Sequence, residues 1–196
     1  MGTIALSGSF AVPDRAIAAL LLIGSAPSPR RLHVADFLHH CGFATLVTDL
    51  GTDEDPALPG TIERLARPIA ASLEWLANRP GTRALPIGCL ADGAAVAPAM
   101  LAIRSHGARV GAFVALNGRI DLAGAALRGF EAPTLLIAGE HSEALQVARA
   151  SIGRLAVGEL LVVESVTDPL ADLDALGTVS RQVRGWFRDY LASPES

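Results

Sequence analysis

The stretch Ala84-Leu85-Pro86-Ile87-Gly88-Cys89-Leu90-Ala91-Asp92-Gly93-Ala94-Ala95-Val96-Ala97-Pro98-Ala99-Met100 decides how this chain is read. A short apolar run, Ala84 to Ile87, meets a glycine-bounded segment and then an alanine-rich helical pattern to about Ser105. That is a strand, a tight turn and a helix in immediate succession. Upstream and downstream the same alternation of short apolar runs and 3.6-residue periodicity repeats, the pattern of an α/β domain with a largely parallel sheet.

Working outward, Ile17 to Ile23 is wholly apolar and reads as a buried strand. Pro29 then opens a helix whose Val34, Phe37, Leu38 and Cys41 share one face, and Gly42 closes it. Ala44 to Val47 is the next strand. Pro68 is expected to open the following helix at its first position, with Ile69, Leu73 and Leu76 buried. Strands are expected at Val110 to Leu116, Thr134 to Ala138 and Leu160 to Glu164, with a helix from about Glu143 to Leu155 between the last two. Leu173, Leu176, Val179, Val183, Phe187 and Leu191 line a closing helix. Ile4 to Leu6 and Phe10 to Val12 read as an antiparallel hairpin at one edge. The expectation is one domain over residues 1–196, with eight strands, helices on both faces and no lid domain.

Composition narrows the chemistry. All 16 basic residues are arginine, so lysine Schiff bases and a phosphate-loop lysine are excluded. A formal charge of -4 and the absence of a basic run argue against nucleic acid as a partner. Cys41 and Cys89 form neither a disulfide framework nor a C-x-x-C pair, which suits a reducing, cytoplasmic setting. The apolar stretch Ile17 to Ile23 is too short to span a bilayer, and Asp14 and Arg15 before it do not suit a signal segment. No G-x-G-x-x-G follows a strand, and no cofactor is implied. The high apolar fraction leaves room for a homodimer.

Several segments together resemble bacterial dienelactone-hydrolase-like members of the α/β-hydrolase superfamily. They are Leu6-Ser7-Gly8-Ser9-Phe10-Ala11-Val12-Pro13, Gly42-Phe43-Ala44-Thr45-Leu46-Val47-Thr48-Asp49-Leu50, Gly118-Arg119-Ile120-Asp121-Leu122-Ala123-Gly124 and Ala132-Pro133-Thr134-Leu135-Leu136-Ile137-Ala138-Gly139. The resemblance implies a Ser or Cys nucleophile on a strained strand-to-helix elbow, an Asp after the seventh strand and a His after the eighth. At each of those positions this sequence departs from the pattern. Depending on register, Cys89, Ala91 or Asp92 occupies the elbow. Ser142 stands where the Asp is expected, within Gly139-Glu140-His141-Ser142, and Asp168 stands where the His is expected, after Thr167. The family's His-Gly beside the oxyanion hole is replaced by Ile23-Gly24-Ser25.

Two readings follow from the resemblance. In one, the scaffold has lost its triad and its cleft binds a small ligand or partner or supports a non-hydrolytic step; a purely structural subunit is the variant without a working cleft. In the other, a permuted triad hydrolyses small esters or lactones: Cys89 attacks, His141 takes its proton and Asp168 orients the imidazole. Gly24, Ser25, Asp92, Asn117 and Ser142 are expected to rim the cleft beyond the strands' carboxyl ends. Asp92 as a carboxylate nucleophile is weaker than Asp92 as a helix N-cap. His33, Asp36 and His40 share a polar helix face, and Asp49, Asp53, Glu54 and Asp55 form an acidic loop. Both are read as solvated rather than metal-binding.

Overall fold

The computed structural model describes residues 8–52, 54–105 and 110–192. Among these residues seven strands form one sheet: β1 (Gly8–Ala11), β2 (Ala18–Gly24), β3 (Phe43–Asp49), β4 (Ile87–Asp92), β5 (Val110–Leu116), β6 (Thr134–Gly139) and β7 (Gly158–Val163). Their order is β1-β3-β2-β4-β5-β6-β7, with β1 antiparallel to β3 and every other pairing parallel. The expected hairpin partner at Ile4 to Leu6 lies outside the described residues. Among the described residues, Phe10 pairs with Leu46 of β3, a nonlocal antiparallel partner.

Among the described residues five α-helices cover the sheet: α1 (Pro29–His40), α2 (Thr61–Asn78), α3 (Val96–Ser105), α4 (Glu143–Ser151) and α5 (Leu173–Leu191). Strand residues alternate between two apolar layers, as a two-residue pleat requires. Leu21, Ile23, Cys89, Ala91, Phe113 and Ala115 pack with Leu73 of α2 and Met100 of α3. Leu20, Leu22, Leu90, Val114 and Leu116 pack with Val34 of α1 and Val183 and Phe187 of α5. Covering both faces explains why β2 is apolar throughout.

Helix α1 begins as the sequence indicates. Ser28 is its N-cap and accepts the Arg31 amide at 3.3 Å, Pro29 takes the first helical position, and Gly42 follows the helix at φ +90°. Helix α2 differs: it starts at Thr61, and Pro68 sits buried in its interior. Proline there forfeits one intrahelical hydrogen bond, and burial of Leu65, Ile69, Leu73 and Leu76 on a continuous stripe holds the helix together across it.

The strand before the elbow is displaced from its expected place. It runs from Ile87 to Asp92, so Gly88, Cys89, Leu90 and Ala91 belong to the sheet rather than to the turn. Gly88 is small for a packing reason: a Cβ there would lie 2.7 Å from Phe187 and 2.8 Å from Leu191 of α5. The C-terminal ends of β2 and β4 flank the point where strand order reverses, where a doubly covered sheet opens a crevice.

Candidate functional site

At that crevice β4 ends on Asp92 and the chain turns into α3 through Gly93 at φ +54°. An L-residue enters this left-handed region only at a cost, so the turn is strained for anything but glycine. A Cβ at Gly93 would meet nothing within 4 Å. The position therefore projects into open space, flanked two residues away on either side by the buried Ala91 and Ala95.

Below the turn lies a charge cluster that the sequence did not announce. Arg31 of α1 is 2% exposed and donates to Asp92 Oδ2 at 2.6 Å, to the Ala26 carbonyl at 2.6 Å and to Asp49 Oδ1. Asp92 thus bonds a guanidinium and makes no side-chain cap to the helix after it. Asp49 is likewise drawn out of the acidic loop into this cluster. The rest of that loop matches a solvated reading: Glu54 pairs with Arg64, and Asp55 accepts the Ala57 amide. Asp53 lies outside the described residues. Gly24 leaves room for the cluster, since a Cβ there would collide with the Arg31 guanidinium and Asp92 Oδ1. Burial pushes the Asp92 carboxyl up, Arg31 opposes that, and Asp168 and Asp49 add to it by repulsion.

A cleft of about 290 Å³ opens over this cluster. Ser25, Ser28, Arg30, Arg31, Asp92, Gly93, Asn117 and Asp168 line it, with Leu116 and Leu170 as apolar walls. Asn117 has φ +49°, a conformation asparagine tolerates better than most residues. Its amide donates to the Ile137 carbonyl at 2.7 Å and its Nδ2 to the Thr167 carbonyl at 3.3 Å, which leaves Oδ1 buried without a donor. Asp168 spends one oxygen on the Leu170 amide at 2.9 Å. The loops after β6 and β7 meet, as expected: His141 donates its amide to the Val166 carbonyl at 3.0 Å, and Glu140 accepts the Ser165 amide at 2.9 Å.

Of the residues singled out from sequence, Ser25, Asp92, Asn117 and Asp168 come together in the cleft. Gly24 lies directly beneath it, against Arg31 and Asp92. Ser142 begins α4, with its hydroxyl donating to the Gly139 carbonyl at 2.9 Å. The placement of Cys89 needs correction. It is fully buried within β4, in the layer facing α2 and α3, whereas Asp92 points to the opposite face. Three residues back from the strand end puts it roughly 10 Å below the crevice. Burial also pushes its thiol up, away from ionisation. His141 is exposed on its loop. No group of three or more metal-ligating side chains occurs among the described residues, and His40 of α1 bonds the Asp36 carbonyl at 2.8 Å.

Two decisive residues were missed. Arg31 lies on the same stripe of α1 as Val34 and Leu38, and an arginine on a buried stripe was a readable signal. Gly93 was readable as the centre of Ala91-Asp92-Gly93-Ala94-Ala95, with small residues two positions away on each side.

Comparison with solved structures finds the same fold. Dienelactone hydrolase from Anabaena variabilis superposes with a TM-score of 0.87 and 28% identity, over 97% of this chain and 94% of that one. The chain has the α/β-hydrolase fold. Est1E from Butyrivibrio proteoclasticus shares the fold at a TM-score of 0.78 and 13% identity, covering 94% of each chain. No family model matches the sequence. Among curated proteins, one from Mycobacterium tuberculosis (strain H37Rv) named "Putative phosphoribosyl transferase" is 33% identical over 98% of this chain. The chain spans about half the length of that relative, 46%. None of its described helices is long and apolar enough to cross a membrane.

Proposed function

We propose that this dienelactone-hydrolase-like protein has lost the hydrolytic triad and uses the remaining cleft to bind a small organic ligand. One observation carries the reading. The left-handed residue of the β4-to-α3 turn, where the α/β-hydrolase fold displays its nucleophile, is Gly93, which has no side chain. Ser142 and Asp168 at the acid and base positions agree with it, because neither supplies an imidazole. The cleft keeps the features of a binding site: a concave space at the switch point, two leucine walls and a few fixed polar groups.

The permuted alternative of Cys89, His141 and Asp168 draws little support from this arrangement. Its thiol faces the core, and reaching His141 would require unpairing β4. A carboxylate nucleophile at Asp92 is disfavoured because Arg31 holds its Oδ2. A structural subunit without a working cleft would not need the open space over Gly93. Phosphoribosyl transfer is not ascribed to this chain, since more than half of the relative bearing that name lies outside the match.

Steady-state hydrolysis of p-nitrophenyl acetate and of a dienelactone is the test. The expected rate equals that of buffer. Saturable turnover, whether or not it disappears in Cys89→Ala or Asp92→Asn, would overturn the proposal.

A further inference from the structure

The polar groups around the cleft are unevenly matched in charge and in hydrogen bonding. Three carboxylates, Asp49, Asp92 and Asp168, surround it or its floor, against two guanidiniums. Arg31 is already shared between Asp49 and Asp92, and Arg30 is exposed at the mouth. Asp168 therefore enters the cleft with no cation paired to it among the described residues.

Hydrogen bonding makes the same point independently. The Thr167 carbonyl can only accept, so it fixes the Asn117 amide with Nδ2 toward Thr167 and Oδ1 turned away. That oxygen is buried, belongs to a residue that lines the cleft and accepts nothing among the described residues. A buried acceptor without a donor costs free energy that a ligand donor would recover. An anionic ligand would meet the Arg30 guanidinium at the mouth but two carboxylates and an orphan acceptor inside. A neutral apolar one would leave Asn117 unsatisfied.

Resting on the ligand-binding reading above, we infer that the cleft takes a small primary ammonium, its N–H groups shared between Asp168 and Asn117 Oδ1 and its short alkyl part against Leu116 and Leu170. An ammonium supplies three donors and one positive charge, which are what the site lacks. The volume, near the lower end of ligand pockets at roughly 300 Å³, limits the alkyl part to a few carbons. The upward push on the Asp92 carboxyl from Asp168 and Asp49 would be relieved by the same cation.

The experiment titrates the full chain, labelled with ¹⁵N, with n-propylammonium chloride, sodium propionate and 1-propanol at matched ionic strength. The Gly93 backbone and Asn117 side-chain amide resonances are followed. Saturable shifts are expected with n-propylammonium alone. Asp168 is exposed, so Asp168→Asn should fold normally and still accept the Leu170 amide while weakening binding about tenfold or more. Asn117→Gly keeps a residue suited to the left-handed backbone and removes the orphan acceptor, so it should weaken binding by about tenfold. If propionate or propanol binds in the cleft as well as the amine does, the inference falls and the ligand-binding reading stands. If none of the three shifts these resonances, or if both variants bind the amine like the wild type, the inference also falls. Ester turnover would count against the ligand-binding reading, not against amine recognition.

Discussion

Replacing Arg31 with methionine removes the guanidinium that neutralises Asp49 and Asp92 while keeping much of its aliphatic volume. Both carboxylates stay where they are, with side chains 22% and 17% exposed, and lose their cation. Breaking a buried pair from one side costs about 3–5 kcal/mol, and residual hydration of the two aspartates places this case near the lower end, about 3 kcal/mol. For a domain of this size each kcal/mol moves Tm by roughly 2–4 °C, so Arg31→Met should melt about 6–12 °C lower. The sign of the pH dependence follows from the cluster. Without Arg31, burial and the charges of Asp49 and Asp168 all push the Asp92 carboxyl up. Its folded pKa then exceeds the unfolded value, so the stabilising contribution is full below about pH 3.9 and is lost as pH rises through the folded pKa. The defect should therefore be smaller near pH 4 than at pH 7. Neutralising both partners as well, in Arg31→Met with Asp49→Asn and Asp92→Asn, should recover most of the loss. Urea titrations at the two pH values measure all of this. An Arg31→Met protein as stable as wild type at pH 7, or one whose deficit grows on acidification, would refute the reasoning.

Cys89 should resist a thiol reagent in the native protein and react only after denaturation, whereas the partly exposed Cys41 reacts natively; a thiol count of one rising to two checks this. Asp172→Ala removes the N-cap of α5, which accepts the Asp174 and Ala175 amides at 2.9 Å, and should cost about 1 kcal/mol by chemical denaturation. Gly118→Ala would set a Cβ 2.7 Å from the Gly93 carbonyl and against Val96, so it should destabilise by about 1–3 kcal/mol and perturb the Gly93 amide resonance.

Most of the architecture was legible because it rests on periodicity. β2, β5, β6, α1 and α5 fall within a residue or two of where their apolar residues place them. Errors arose where local rules met tertiary demands. Pro68 is a strong opening signal for a helix, yet the apolar stripe of α2 extends through it. Gly88 invited a turn, but the approach of Leu20 and, from the C-terminal helix, of Phe187 and Leu191 explains it. That misplacement moved the elbow upstream and lent Cys89 a prominence its burial does not support. Half of the site was legible, because loop order alone brings Asn117 and Asp168 to the carboxyl edge. The Arg31 cluster was not, because a pairing across 61 positions leaves no local trace beyond a charge on a buried stripe.

The proposal that Gly93 leaves the turn without a nucleophile is tested most directly by intact mass measurement of the protein during incubation with p-nitrophenyl acetate, alongside the initial release of p-nitrophenolate. The expected result is no burst and no acetyl adduct within the cleft. A stoichiometric burst with an acetyl group mapped to Cys89, Asp92 or Asp168 would contradict it.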